Sequence, residues 1–205
     1  MAPSLGTIRL ATAADGEAIL RIYAPFVAAK PTSFETEVPS AAEMGRRVQE
    51  TLRARPWLVY EEGGVVGGYA YSSQHRTRAA YRWSVEVSVY IAQSFQRRHV
   101  AQALYTSLLR ILAAQGLVNA YAGIALPNPA SVALHEAMGF TQVAVYPKAG
   151  FKLGAWHDVG WWHLALNPHP AAPEPPRAFA AIAKQPDFAE MLRSGVSRIK
   201  PPTSD

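Results

Sequence analysis

The amino-acid sequence predicts an α/β protein in which a mixed, predominantly antiparallel sheet is flanked by helices. Three observations lead to this fold class: apolar residues at helical spacing, short apolar runs rich in β-branched residues, and a hairpin signal near the middle of the chain. Together they predict the order β-α-α-β-β-β-α-β-α-β-β. The 205 residues, 49% of them hydrophobic, suffice for one domain with a sizeable core.

The first third of the chain predicts one strand and two helices. A strand is expected over 7–11 and a helix from about Asp15. Pro25 is expected to kink or end that helix, because proline lacks the amide that an interior position needs. Ser40-Ala-Ala-Glu43 has the spacing of a capping box, which predicts that a second helix begins there.

The middle of the chain predicts a hairpin, a further strand and the main helix. The strands 57–60 and 65–71 are separated by Glu-Glu-Gly-Gly, and a third strand is predicted over 83–92. The main helix, which Gly116 should end, is marked by apolar residues that share one face: Val100, Leu104, Leu108, Ile111 and Leu112.

The remaining elements are a strand over 120–126, a short helix over 129–138, and two strands over 140–146 and 159–166. Eight of the sixteen prolines follow Leu166. We therefore divide the chain into a domain, 1–166, and a proline-rich linker with a C-terminal tail, 167–205, in which one helix is predicted over 177–194. The sequence leaves open whether this tail packs on the domain or on a partner.

Composition excludes several classes of protein. There is no cysteine, which rules out a disulfide framework, a thiolate metal site and a cysteine acyl-enzyme. No apolar run approaches the roughly 20 residues needed to span a bilayer, and no signal peptide is evident, so we expect a soluble, cytoplasmic protein. The net charge of +5 indicates a mildly basic surface or attraction to anions. The arginines are scattered rather than clustered, which does not favour nucleic-acid binding. The histidines lack the spacing of metal ligands, so no metal site is indicated.

Glu86 is the first candidate for chemistry. In the strand SVEVSVYI it lies on the face opposite Val85 and Val87. That face either meets solvent or carries a general base, since a half-buried carboxylate can take a proton from a substrate amine.

The turn Gln96-Arg-Arg-His-Val-Ala101 is the second candidate, because it opens a helix whose free N–H groups and dipole suit a phosphate. Its arginines could equally be a solvated cap.

Two polar residues near the short helix are further candidates. Asn128 is either a helix N-cap or a ligand contact. His135 is either a proton donor or a helix histidine that bonds to the backbone. The loop 74–82 carries three arginines, which suit a carboxylate or phosphinate or are solvated charge.

Taken in order, SVEVSVYI, QRRHVAQALYTSLL and GIALPNPASVALHEAMGF resemble the acyl-CoA-binding half of the GNAT superfamily of N-acetyltransferases. The phosphate-binding pattern there is Gln/Arg-x-x-Gly-x-Gly/Ala. Gln96 and Ala101 match this pattern, whereas His99 replaces its first glycine. His135 stands where the superfamily commonly has a tyrosine that is a candidate acid for the CoA thiolate.

The resemblance narrows to the phosphinothricin and methionine sulfoximine N-acetyltransferase branch over residues 7–166. It rests on Thr32-Ser-Phe-Glu-Thr-Glu37, the loop Arg76–Tyr81, Val85–Tyr90, Leu134-His-Glu136 and Gly150-Phe-Lys-Leu-Gly-Ala-Trp-His-Asp-Val159. The branch implies a GNAT-like fold with a splayed parallel strand pair, and a homodimer that acetylates the amine of an amino-acid-like acid with acetyl-CoA. It implies direct transfer, with an oxyanion held near the Val89 N–H.

The resemblance also assigns residues to roles. Glu86 is implied as general base and His135 as acid. Acetyl-CoA contacts are implied for Val89, Tyr90, Ile91, Arg97, Arg98, His99, Val100, Ala101, Gln102 and Asn128. Substrate contacts are implied for Phe34, Arg76, Arg78, Tyr81, Glu86, Val87 and Ser88. No metal is expected. Two alternatives remain open: a protein or peptide N-acetyltransferase, and a non-catalytic acyl-CoA-binding sensor.

Overall fold

The computed structural model describes residues 6–201, so the outer ends of the predicted domain and tail, 1–5 and 202–205, lie outside the described residues. The strands are β1 (Thr7–Leu10), β2 (Trp57–Glu62), β3 (Val65–Gln74), β4 (Ser84–Ile91), β5 (Asn119–Leu126), β6 (Thr141–Lys152) and β7 (Ala155–Ala165). The α-helices are α1 (Gly16–Ala29), α2 (Ala41–Leu52), α3 (Val100–Ala114), α4 (Pro129–Ala137), α5 (Phe179–Ile182) and α6 (Phe188–Arg193).

Within this range the strands form one seven-stranded sheet in the order β1-β2-β3-β4-β5-β7-β6. Neighbouring strands are antiparallel except β4 and β5, which are parallel. The predicted fold class is therefore confirmed. The β4–β5 register covers only Ser84–Glu86 against Asn119–Tyr121. Beyond Glu86 the two strands separate, which opens the sheet in its middle.

Helices cover both faces of the sheet. On one face α3 buries Leu104, Leu108 and Leu112 in the larger core cluster. On the other face α1 and α2 bury Ile19 and Met44 in a second cluster. Burying a side chain of this size contributes roughly 1.5–3 kcal/mol to folding. The two clusters thus fix β4 between helical layers. No helix in the range 6–201 combines the length and apolar character that a membrane crossing requires.

Two details differ from the sequence-based expectation. Pro25 does not end α1, which continues to Ala29. The proline removes one helical hydrogen bond, and the burial of Ile22 and Val27 on either side of it holds the helix together. Strands β6 and β7 are also longer than predicted, and the string 150–159 forms the hairpin between them. Its two-residue turn is Leu153-Gly154, with φ values of 52° and 77°. Such a turn usually carries Asn-Gly, so the Leu-Gly pair gave no hairpin signal.

The C-terminal tail packs on the domain, a point that the sequence left open. Instead of one helix over 177–194 it forms the two short helices α5 and α6, with Pro186 between them. Its apolar side chains belong to the same core cluster as α3: Phe179, Ile182, Phe188, Met191 and Ile199.

Candidate active site

A groove of about 730 Å³ lies where β4 and β5 separate. It is bounded by the end of β4, the turn before α3, the start of α4 and the end of α1. Of the ten predicted cofactor contacts, nine line it: Val89, Tyr90, Ile91, Arg97, His99, Val100, Ala101, Gln102 and Asn128. The structure thus brings together residues from three separate segments of the chain along this groove.

The turn before α3 has an unusual backbone. His99 is the N-cap residue with φ 60° and ψ 16°, and Arg97 has φ 59°. Both lie in the left-handed region that glycine adopts at little cost. This geometry explains why a glycine is typical of the superfamily pattern at the position that His99 occupies. The first amides of α3 follow directly, and their N–H groups have no partner within the helix, which suits a phosphate.

Arg98 is the predicted cofactor contact that the groove does not include. Its guanidinium donates to both carboxylate oxygens of Glu62, at 2.7 and 2.9 Å, and the residue is only 8% exposed. The Arg98 hydrogen bonds also hold the pKa of the Glu62 carboxyl below its usual range. The Arg98 side chain is therefore directed to Glu62 and not to the groove, and an acetyl-CoA contact at Arg98 stays a prediction. Its side chain anchors the turn to β2.

A narrow cleft leads inward from the groove between the separated strands. This inner cleft is lined by Val87, Ser88, Tyr105, Asn128 and His135. The Val87 side chain is buried in the core. The Asn128 side chain caps α4 by accepting from the Ser131 amide at 3.2 Å. Asn128 therefore caps the helix, as one interpretation predicted, and it also lines the groove, where the ligand contact stays a prediction.

His135 is 4% exposed and makes two hydrogen bonds at the end of this cleft. Its Nδ1 lies 2.7 Å from the Ser131 carbonyl oxygen, and its Nε2 lies 3.0 Å from the Tyr105 hydroxyl. Because a carbonyl only accepts, Nδ1 carries the proton and Nε2 accepts from Tyr105. Burial also lowers the pKa of the imidazole. His135 is thus a neutral ring that orients Tyr105, a residue that the sequence analysis did not single out.

Glu86 lies at the other end of β4, beside the arginine-bearing loop. Its Oε1 is 3.0 Å from Nδ1 of His75 and 3.4 Å from Nη1 of Arg76. The His75 ring stacks on Tyr121, with centroids 4.4 Å apart and planes 18° apart. His75 was missed because an isolated loop histidine carries no pattern that marks it as a partner of Glu86.

The predicted substrate residues outside β4 lie on two further segments, and among them Arg76 contacts the Glu86 carboxylate. Arg76, Arg78 and Tyr81 are exposed on the loop between β3 and β4, and the Arg76 guanidinium lies 5.9 Å from the Trp161 ring centroid. Phe34, from the loop after α1, lies across Gly150 on β6, so close that a Cβ there would be 2.5 Å from the ring. We refer to Glu86, the loop residues Arg76, Arg78 and Tyr81, and Phe34 together as the mouth.

Strand β4 joins the two ends of the site. Glu86, Ser88 and Tyr90 share one face, with successive side chains about 7 Å apart. Tyr90 lies in the groove, Ser88 in the inner cleft and Glu86 at the mouth. Such an arrangement can bring a long ligand in the groove against a small cationic or zwitterionic molecule at the mouth, with a carboxylate available to accept a proton.

Comparisons with known proteins agree with this geometry. The family described as "Acetyltransferase (GNAT) domain" matches residues 8–161. The phosphinothricin N-acetyltransferase of Streptomyces viridochromogenes is 41% identical over 175 residues, which cover 85% of this chain and 95% of that protein. The L-methionine sulfoximine/L-methionine sulfone acetyltransferase of Salmonella typhimurium is 35% identical over 169 residues, covering 82% and 98%.

A solved structure is also similar to this chain in fold and sequence. The phosphinothricin acetyltransferase of Sinorhizobium meliloti in complex with AcCoA superimposes with a TM-score of 0.77 at 32% identity, covering 85% of this chain and 98% of that one. The family match extends over most of the sheet, including β4, the turn before α3 and α4. The chain therefore belongs to the GNAT family of acetyltransferases.

Proposed function

We propose that the protein transfers an acetyl group from acetyl-CoA to the amine of a small amino-acid-like acid of the phosphinothricin, methionine sulfoximine or methionine sulfone type. The observation that carries the proposal is the arrangement along β4. The groove reaches Val89 and its inner cleft reaches Ser88, two residues from the Glu86 carboxylate, which Arg76 contacts. The names of the related proteins, which are acetyltransferases for these amino acids, support it.

Acetyl-CoA as the donor substrate fits the groove in size and chemistry. The turn 96–99 and the first amides of α3 would hold the pyrophosphate. The pantetheine arm would run along the exposed edge of β4 at Val89–Ile91, opposite Asn128. A strand edge suits this arm because amide groups of the ligand can pair with the strand backbone.

Acetyl transfer then needs a free amine, because an ammonium group has no lone pair. In the proposed mechanism Glu86 accepts a proton from the substrate ammonium, directly or through water. The amine nitrogen attacks the thioester carbonyl and the C–S bond breaks. CoA leaves as a thiolate, which takes up the proton that the nitrogen loses as the amide forms. The Val89 N–H would stabilise the oxyanion. Since His135 is neutral and accepts from Tyr105, we assign it the role of ordering the cleft rather than that of the acid.

Substrate choice would come from the mouth. Arginine guanidinium groups bind carboxylates and phosphinates through paired hydrogen bonds, so Arg76 and Arg78 suit an anionic amino acid. Tyr81 and Phe34, which are 41% and 40% exposed, would form the walls of the acceptor site.

The test measures thiol release from acetyl-CoA with phosphinothricin, methionine sulfoximine, methionine sulfone, ordinary amino acids and a lysine peptide. Glu86→Gln should lower kcat by about 10²–10⁴-fold at neutral pH while acetyl-CoA affinity stays near that of the parent protein. Glu174→Gln, which changes an exposed carboxylate on the tail, is the matched control.

Three outcomes would argue against the proposal. Unchanged turnover by Glu86→Gln would remove this residue from the mechanism. Acetylation of the peptide without the amino acids would point to a peptide N-acetyltransferase. Tight acetyl-CoA binding with no turnover on any amine would indicate a sensor.

We further propose that the protein is a homodimer formed through β6 and β7. Strand β6 is a sheet edge of twelve residues, and large apolar side chains of the hairpin are exposed, including Trp156 at 60% and Phe151 at 58%. An exposed apolar edge of this length normally has a partner. Sedimentation equilibrium of the parent protein and of Val143→Glu/Val145→Glu should show a dimer and a monomer; a monomeric parent would contradict the proposal.

A further inference from the structure

The C-terminal tail runs along α3 from the end of the helix to its start. At the C-terminal end of α3, Arg177 and Gln115 exchange hydrogen bonds of 2.7 and 3.2 Å. Midway, the Ser107 hydroxyl donates to the Leu192 carbonyl at 2.7 Å and accepts from the Gly195 amide at 3.2 Å. Gly195 lies so close to α3 that a Cβ there would come within 1.9 Å of the Ala103 carbonyl oxygen.

The tail ends its course at the turn that precedes α3. The Lys200 amide donates to the Arg98 carbonyl at 3.0 Å, and Arg98 Nε donates back to the Lys200 carbonyl at 3.2 Å. The Arg98 guanidinium is paired with Glu62 in the same place. Thus the residue in the centre of the turn is bound on one side by β2 and on the other by the tail.

The residues on either side of Arg98 are those with strained backbones. Arg97 and His99 both have positive φ values, and neither is a glycine. Conformations of this kind persist only where the surrounding structure holds them. Glu62 and Lys200 both form hydrogen bonds with Arg98, the residue in the centre of the turn, and Lys200 lies beyond the family match, which ends at residue 161.

We infer that the tail, residues 177–200, is a brace that keeps the turn 96–99 in its ligand-binding conformation and compensates for the histidine at a position suited to glycine. This inference rests on the proposed function in placing the acetyl-CoA pyrophosphate at this turn. It assigns Lys200, through its backbone amide, a positioning role for the donor substrate. The tail and His99, which both depart from the family pattern, are thereby linked.

Lys200→Pro tests the brace because it removes the backbone N–H that donates to the Arg98 carbonyl. The preceding residue, Ile199, has φ −73° and ψ 130°, which a following proline tolerates. Lys200→Ala is the matched control, since it removes the side chain but keeps the amide. We expect Lys200→Pro to weaken acetyl-CoA binding by about tenfold, the effect of losing one hydrogen bond of a strained turn, and Lys200→Ala to bind as the parent does.

Three further readouts separate a brace from a general loss of stability. The kcat and the KM of the amine should stay unchanged in Lys200→Pro, while the KM of acetyl-CoA rises. S-acetylpantetheine, which lacks the pyrophosphate, should show no difference between Lys200→Pro and Lys200→Ala. Adding His99→Gly to Lys200→Pro should recover most of the lost acetyl-CoA affinity, because glycine adopts the left-handed conformation unaided.

Equal acetyl-CoA affinity of Lys200→Pro and Lys200→Ala would overturn the inference, as would an equal loss of affinity for S-acetylpantetheine. Failure of His99→Gly to relieve the defect would overturn the link to the histidine. A parent protein that binds no acetyl-CoA in calorimetry would instead overturn the proposed function, and the inference with it.

Discussion

The two ends of β4 are built in different ways. At the groove end, Tyr90 is packed among Tyr23, Phe26 and Tyr69, with ring centroids 5.1–5.3 Å apart, and the predicted phosphate contacts are backbone amides of the turn before α3. At the mouth, the predicted substrate contacts are the charged side chains of Glu86, Arg76 and Arg78, and both arginines are exposed on a loop. Backbone geometry is fixed by the fold, whereas loop side chains can change without disturbing the core. We therefore expect substitutions to separate donor binding from acceptor choice.

The largest effect that we expect from this comparison is a higher KM for the amino-acid substrate when Arg76 or Arg78 is replaced. Arg76→Ala and Arg78→Ala should each raise the KM of an anionic amino acid by about 10–100-fold, because each removes charge-assisted hydrogen bonds. The KM of acetyl-CoA should not change. Steady-state kinetics with both substrates varied would measure this, with Arg53→Ala, an exposed arginine at the end of α2, as the control for lost charge.

An equal rise in both KM values would mean that the two ends of β4 are not separable. An unchanged amino-acid KM in both variants would indicate that the loop arginines are solvated charge, the alternative that the sequence left open.

A smaller effect is expected at His75, which contacts the Glu86 carboxylate and is not itself a predicted substrate contact. His75→Phe keeps an aromatic ring on Tyr121 but removes the hydrogen bond to the carboxylate. We expect it to lower kcat/KM for the amine by about tenfold, in line with the loss of one hydrogen bond to a charged group. His75→Asn places an amide nitrogen near the position of Nδ1 and should retain more activity. A His75→Phe enzyme as active as the parent would show that Glu86 needs no such partner.

The sequence predicted the parts of the site that depend on local backbone pattern. Alternation placed Glu86 opposite Val85 and Val87, and the turn 96–101 was located from its place before an amphipathic helix. These signals lie within a few consecutive residues, so a single sequence contains them.

Contacts between distant residues could not be predicted in this way. Arg98 lies 36 positions from Glu62, and Tyr105 lies 30 positions from His135, and neither pair has a local signal. The same applies to the tail, whose apolar residues are spaced like those of a short surface helix. Their burial depends on the shape of α3, which only the assembled fold provides.

The smallest expected effect is a dependence of stability on pH at the groove end. Burial lowers the pKa of His135 below the ordinary imidazole value of about 6.5. The unfolded chain therefore binds a proton there at a higher pH than the folded protein does. His135 thus favours folding fully above about pH 6.5, and this contribution is lost as the pH falls from there towards its folded pKa.

His135→Gln isolates this contribution because a glutamine oxygen can still accept from the Tyr105 hydroxyl but does not titrate. We expect the variant to be less stable than the parent by about 1 kcal/mol at pH 7.5, since it loses the bond to the Ser131 carbonyl. The difference should shrink between pH 6.5 and 5, as protonation destabilises only the parent at this site. Urea unfolding at both pH values, with His157→Gln on the hairpin as control, would measure it. A gap that stays constant would mean that His135 has the same pKa in the folded and unfolded protein. A gap that widens as the pH falls would mean that the folded pKa is raised, and it would restore this residue as a candidate acid.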